Sequence, residues 1–458
     1  MHPREYNIGP YYLLTIVLLH VAIQGCASYN PLPSGESLFL ERAQTKTINH
    51  VQVTTAVPSA IETRQIFGVD LYQNNIQPVW IEIDNQDEKA IWFLPIGVDP
   101  LYYTSYEAAF ISQARVSDRA KDQMVRYFFS KGHHIYVHPG TKRSGYVFTN
   151  LDEGTKSFAL DLIGEDGQIR VFTFFIPVPG LKIDHRAIDF AGLYPEGSWK
   201  NVEDEANLIQ YLQTIPCCTT NKKGSEAGDP LNLIVVGSGD DVYHAFMRAG
   251  WDETEVVTTK SAWKTAIAFI SGGHYRYSPV SALYVFGRRQ DIALQKARER
   301  IHERNHLRLW LAPVKFKGKL VWVGQISRDI GVRFTTKTIV THKIDPDVDE
   351  TRGYLIQDLW YSQGLERFAL VSGVGAAPIQ TPRHNLTGDP YFTDGLRAVL
   401  WVSSDPVPFE KVQFLEWERP HKNEAIIFQP TKEIINEISS LDCHFVLGTA
   451  RNNSLGRR

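Results

Sequence analysis

The run RNHLRLW, residues 304–310, carries His306, Arg308 and Trp310 at alternate positions, with Leu307, Leu309 and Leu311 in register between and after them. In a β-strand such alternation sends the two sets to opposite faces. If the leucines are buried, an imidazole, a guanidinium and an indole line up on the other surface. Such a row suits a carboxylate or a phosphate. Two further groups follow in sequence: Arg328 and Asp329 in SRDIG, then His342, Asp345, Asp347, Asp349 and Arg352 in THKIDPDVDETR. If the strands carrying them are neighbours, His306 and His342 can meet beside Asp329 or Asp345. That would make a two-histidine, one-carboxylate metal set or an acid/base pair. A buried structural network accounts for the same residues. Arg308, Arg328 and Arg352 would then pair with the aspartates, Asp345 or Asp347 would cap the next helix, and Pro346 would suit its start. The candidate catalytic or anion-binding set is therefore His306, Arg308, Asp329, His342, Asp345 and Arg352.

Other motifs carry less chemistry. Asp345, Asp347 and Asp349 share the spacing of a calcium-loop start. Glu350 stands where that loop needs glycine, and Ile356 where it needs glutamate. GSGDD at residues 237–241 joins a strand to a helix, but two aspartates at a helix start repel an anion and serve better as caps. His133, His134 and His138 lack an acidic or cysteine partner at ligand spacing. There is no G-x-S-x-G run. No metal and no cofactor is assigned.

Elements must position these residues, and the 458-residue chain is long enough for several domains. It is 43% hydrophobic, with a formal net charge of −3 and no basic tract, which argues against nucleic-acid binding. The fold class expected is α+β in two domains. Residues 50–215 read as an immunoglobulin-like β-sandwich: VQVTTAV, QPVWIEIDN, AIWFLPI, HHIYVHP, SGYVFTN, KSFALDLIG and IRVFTFFIPVPG are strand-like and separated by turn residues. One helical insertion, residues 105–130, interrupts them. FTNLDEGTKSF reads as a hairpin. KNVEDEANLIQYLQTI reads as a helix, and residues 216–228, rich in turn formers and mixed charge, as a linker. Residues 229–405 read as a C-terminal α/β domain with a mixed sheet and helices, and 406–458 as an extension. LNLIVVGS, VSALYVFGR, HLRLWLAPV, KLVWVGQISRD, VRFTTKTIVTHKID, RFALVSGV and RAVLWVSSD would be strands. DDVYHAFMRAGW, SAWKTAIAFISG and DVDETRGYLIQDLWYSQG would be helices, and QDIALQKARERIHERN a helix or an extended segment.

The amino terminus sets the expected location. YYLLTIVLLHVAI, residues 11–23, is apolar but shorter than the ~20 residues that span a bilayer. With Arg4 ahead of it, it reads as a secretory signal. It ends Ile23-Gln24-Gly25-Cys26, which resembles the bacterial lipobox. That resemblance implies cleavage of residues 1–25, several acyl chains on Cys26, and a Pro/Ser/Gly-rich tether over residues 26–49. Ala27 in place of aspartate leans toward the outer membrane, facing the periplasm. The membrane is the expected partner through this anchor, with an envelope protein or an anionic ligand as the possible second. Three cysteines remain, and export would permit Cys217 or Cys218 to bridge to Cys443, or leave all three free or vicinal.

PLNLIVVGSGDDVYHAFMRAGW, YSPVSALYVFGRRQDIALQKA, RNHLRLWLAP, VWVGQISRDIGVRF and THKIDPDVDETRGYLIQDL occur in order over roughly residues 229–405. Together they resemble the LssY-type carboxy-terminal domain family. In other chains this domain follows DedA-like or membrane phosphatase-like segments, and the resemblance implies no established activity. The phosphatase signatures K-x6-R-P, P-S-G-H and S-R-x5-H are absent, so phosphatase chemistry does not carry over.

Overall fold

The computed structural model describes residues 29, 31, 39–113, 117–179, 189–190, 192–195, 197–254, 280–297, 304–333 and 341–419. The chain is mixed α/β, mostly strands, with several sheets and, among the described residues, six α-helices. It divides into two compact units, residues 1–181 and 182–458. Among the described residues no helix is long and apolar enough to cross a membrane.

The first unit holds eight strands: β1 (Gln44–Ile48), β2 (Val51–Ala56), β3 (Ile76–Asn85), β4 (Ile91–Leu94), β5 (Tyr136–Val137), β6 (Thr141–Asn150), β7 (Thr155–Gly164) and β8 (Ile169–Pro177). They form two antiparallel sheets ordered β1-β2-β3-β6 and β5-β4-β7-β8. Period-two alternation supplies their shared core: Val53, Val79, Ile81 and Ile83 from one sheet meet Phe93, Leu160, Leu162, Phe172 and Phe174 from the other. The expected hairpin around Asp152 does not form, because β6 pairs with β3 and β7 with β4, so this turn carries the chain between sheets.

The other face of the first sheet is covered by α1 (Ala60–Phe67), α2 (Ser105–Ile111) and α3 (Asp118–Lys131), whose Phe67, Ala109, Met124 and Phe128 pack with Tyr146 and Phe148. The insertion is thus two helices, and α1 is a third that periodicity over eight residues is too short to show. Its start is legible in the Ser59–Glu62 capping box, both halves of which are formed. The tether expectation fails in part, since Tyr29 and Phe39 are buried in this same cluster and β1 begins at Gln44.

The second unit contains β9 (Lys200–Val202), α4 (Glu205–Thr214), β10 (Cys218–Thr220), β11 (Ala227–Pro230), β12 (Leu233–Val236), α5 (Gly239–Arg248), β13 (Asp252–Glu253), β14 (Tyr284–Val285), β15 (Arg288–Arg289), β16 (Ile292–Ala297), β17 (Arg304–Phe316), β18 (Lys319–Arg333) and β19 (Thr341–Ile344). After α6 (Val348–Tyr361) come β20 (Leu365–Ser372), β21 (Arg383–His384), β22 (Pro390–Tyr391), β23 (Leu396–Val402) and β24 (Gln413–Leu415). The main sheet runs β13-β16-β17-β18-β12-β23-β20-β24, with β19 pairing β18 and β9 pairing β17. It is mixed: β12 and β23 are parallel, while β17 and β18 are antiparallel.

Residues 216–228 are not a linker. They build β10 and β11, which pair with each other in a second sheet of this unit. α4 likewise belongs here, burying Leu208 and Leu212 against Ile234, Trp310, Val323 and Val399 on one face of the main sheet. α6 packs on the opposite face, where Tyr354 lies 5.2 Å from the Arg328 guanidinium. α5 starts at Ser238, whose hydroxyl accepts from the Asp241 amide in a capping box, so Ser238 and not an aspartate is the cap. The segment after Gln290, open between helix and strand, is β16. The expected helix SAWKTAIAFISG and Cys443 lie outside the described residues.

Candidate functional site

β17 places its side chains as the alternation requires. Trp310 belongs to the core cluster under α4, and Arg308, His306 and Arg304 continue the same side of the strand toward its start. The row is not an open surface. Trp310 is 0% exposed and Arg308 8%, while the His306 side chain is 12% exposed. Alternation separates two faces but does not say which meets water. Here both are covered, one by α6 and one by α4 together with the β10–β11 sheet.

Cross-strand register sets the geometry. Arg308 lies opposite Gln325, and its Nη1 donates to Gln325 Oε1 at 2.8 Å. Arg308 Nε donates to the Ser281 carbonyl at 3.2 Å. His306 lies opposite Ser327 and reaches diagonally to Asp329, Nε2 to Oδ2 at 2.7 Å. On the other side His306 faces Gln295, whose Oε1 accepts from Arg304 Nη1 at 2.9 Å. Arg304, His306 and Arg308 thus form a basic column flanked by amides, Ser327 and Asp329. Over it lies Asp229 of β11, buried and accepting from Asn385 Nδ2 at 3.2 Å.

Burial pushes the Arg308 pKa down, against the opposing pull of Asp229 and Asp329, and nearby Arg289 adds to the depression. Burial pushes the Asp229 carboxyl up, with Arg308 and the Asn385 hydrogen bond working the other way. Burial is the largest influence on both groups, and each acts on the other in the opposite sense.

The remaining candidates stand elsewhere. Arg352 on α6 grips Asp394 with both nitrogens at 2.9 Å, meets Asp349 at 3.1 Å and donates to the Leu396 carbonyl at 2.6 Å. Burial works against this cation, yet Asp394 and Asp349 outweigh it and raise its pKa. Asp347 is the α6 cap, accepting from the amides of Asp349 and Glu350. Asp345 precedes that cap: its amide donates to the Arg328 carbonyl at 2.7 Å, and its Oδ1 accepts from the Asp347 amide at 3.1 Å. Asp345 and Arg352 therefore serve the α6 start and its junction with β23.

His342 lies in β19 opposite Val332, whereas His306 is opposite Ser327. Five steps along β18 at ~3.3 Å each set their backbones about 16 Å apart, so the register does not bring the two histidines together. The His342 side chain lies outside the described residues. His133, His134 and His138 flank the two-residue β5; burial pushes the His133 pKa down to about 4, and its Nδ1 lies 2.6 Å from the His134 carbonyl.

Sequence reasoning missed Arg304, Gln295, Gln325 and Asp229. Arg304 was legible, being two positions before His306 on the same alternation. Gln295 was hidden by the helix-or-strand ambiguity of its segment, and Asp229 by the loop-like composition around it. Cys217 and Cys218 are bonded to each other, and Cys218 Sγ lies 3.7 Å from the Tyr391 hydroxyl.

Residues 208–396 match the family described as the LssY C-terminus. No curated protein matches the chain. The match begins within α4 and spans β10 and β11, so the segment expected to be a linker lies inside it. The second unit thus carries an LssY-type C-terminal domain, and the Arg304–His306–Arg308 column lies within that domain.

Proposed function

We propose that the chain is a lipid-anchored protein of the bacterial envelope whose second unit binds an anionic group at the basic column of β17. Placement rests on the lipobox-like Ile23-Gln24-Gly25-Cys26. On this reading the anchor is an outer-membrane one facing the periplasm, and the ligand is a small anion or an acidic group of an envelope partner. The first unit is then a spacer of immunoglobulin-like type. Its orders β2-β3-β6 and β5-β4-β7-β8 correspond to strands A-B-E and C′-C-F-G of such a sandwich, with β1 added at one edge.

One observation carries the binding reading: Arg304, His306 and Arg308 share one side of one strand, with the amide oxygens of Gln295 and Gln325 accepting from the two arginines. Guanidinium and imidazole N–H groups are the donors that carboxylates and phosphates accept from. Titration calorimetry of the purified lipidated chain with inorganic phosphate and with acetate tests it. Saturable binding to one of the two is expected, weakened about tenfold or more in Arg308→Gln by loss of a charged hydrogen bond. Absence of heat with both anions overturns the reading. Intact mass of the mature amino terminus tests the anchor, and an unprocessed Met1 start ends it.

A lipid-tethered hydrolase acting on phosphoesters or envelope polymers is the second reading. It is favoured by the 2.7 Å His306–Asp329 pair with Ser327 directly opposite, the setting of an oriented general base. Turnover of a phosphoester panel that His306→Ala abolishes would support it, and no turnover would remove it.

A further inference from the structure

We infer that the helical layer of the first unit, α1 to α3, is a docking face for the lipid surface to which Cys26 is anchored. The inference rests on the lipid-anchor reading above. Tyr29 is 8% exposed and packs edge-on to Tyr127 of α3, ring centroids 6.0 Å apart. Pro31 crosses Gly68, the left-handed cap of α1 at φ +68°, where a Cβ would come within 3.1 Å of the Pro31 nitrogen. The chain is thus fixed to the helical layer at residue 29. Cys26 is three residues earlier, and three residues span at most about 11 Å. An acylated Cys26 therefore cannot hold the first unit at a distance; it holds these helices near the headgroups.

What the layer presents there fits an interface. Tyr106 and Phe110 stack on the outer side of α2, each 62% exposed. Phe129 is 69% exposed on the last turns of α3, which also hold Tyr127, and Ile61 is 73% exposed on α1. Ser105 at the start of α2 lies against Gly132 at the end of α3, so the turns bearing Tyr106 and Phe129 are neighbours. Arg119 and Arg126 are exposed on α3 with Asp118 and Asp122, while Arg64 of α1 is ion-paired with Asp70. Aromatic side chains with arginines among them are the composition of a membrane-interface belt beside anionic headgroups. Reach from the anchor and this composition together select a bilayer as the occupant.

Flotation with vesicles of phosphatidylethanolamine and phosphatidylglycerol tests the inference, using the mature chain, residues 26–458, with Cys26→Ser so that neither the apolar block 11–23 nor an acyl chain contributes. A vesicle-bound fraction is expected, falling about tenfold or more when Tyr106, Phe110 and Phe129 are all replaced by Asp, since each loses an apolar side chain's transfer energy. Circular dichroism establishes that this variant is folded; should it not fold, the exposed pair Phe129→Ser and Ile61→Ser takes its place. Trp92→Asp with Ile169→Asp, exposed on the outer side of the second sheet, leaves flotation unchanged. No flotation of the Cys26→Ser chain, or equal flotation of the helical-layer variant, overturns the inference. So does loss of flotation in the Trp92/Ile169 variant, which points to general adhesion instead. An unacylated mature mass removes the anchor reading alone, and flotation then reports on the face independently.

Discussion

Two buried arginines of the second unit, Arg352 and Arg308, stand in opposite electrostatic circumstances. Arg352 binds two carboxylates and a carbonyl, and its charge is favoured over that of a free arginine. Arg308 donates to an amide oxygen and a carbonyl, with its nearest acids felt only at a distance, and burial disfavours its charge. The first arrangement is closed by its own partners and ties α6 to β23. The second meets neutral oxygens, with Asp229 and Asp329 acting on it without a direct bond. What separates the two is the partner set: carboxylates close around Arg352, whereas neutral oxygens receive the hydrogen bonds of Arg308.

The comparison can be broken most directly at Arg352. Arg352→Ala leaves Asp349 and Asp394 buried without their cation and is expected to cost about 3–5 kcal/mol, seen as a lower urea midpoint with unchanged slope. A loss near zero would deny Arg352 its bracing role. Asp229→Asn gives a smaller effect of opposite sign. A carboxyl whose pKa is raised on folding destabilises the fold above its unfolded pKa, near ~4, and has no effect below it. The variant should therefore be more stable at pH 7 and unchanged at pH 3, while equal gains at both would exclude titration as the cause. Arg308→Gln is expected to change stability least, by about 1 kcal/mol or less, because the amide can keep a bond to Gln325. A loss as large as that of Arg352→Ala would make the column a second brace and remove the basis for ligand binding.

Much of this was legible from alternation and caps. RNHLRLW set the faces of β17, and the first unit's strands announced themselves by period two. What alternation could not show was the environment of each face, which depends on segments distant in sequence. Arg308 reads as a surface residue until α4 and β11 are laid over it. Of those two covers, α4 was read as a helix but given to the first domain, and β11 was read partly as linker, since turn formers and mixed charge over 216–228 resemble one when their pairing partners are unknown. The same ignorance let His306 and His342 look like neighbours. Neighbouring strands do not bring residues together unless register does, and register follows from the whole pairing of β17, β18 and β19. At Arg352 and Asp347 the bland account proved the better one, because a helix start and a salt bridge use the same residue types as a site.

Arg397 of β23 was singled out by no motif, yet it is 0% exposed and donates to the carbonyls of Leu212, Ile215, Pro216, Leu231 and Gly373. Burial lowers its pKa to about 10, and carbonyl oxygens alone among the described residues receive its hydrogen bonds. Four of those five oxygens belong to residues made 166 to 185 positions earlier, from Leu212 in α4 to Leu231 just before β12. During synthesis that stretch emerges with no cation to bind. It must wait for β23 before its backbone can be satisfied, so truncation anywhere ahead of β23 leaves the junction open and the nascent domain without a closing step.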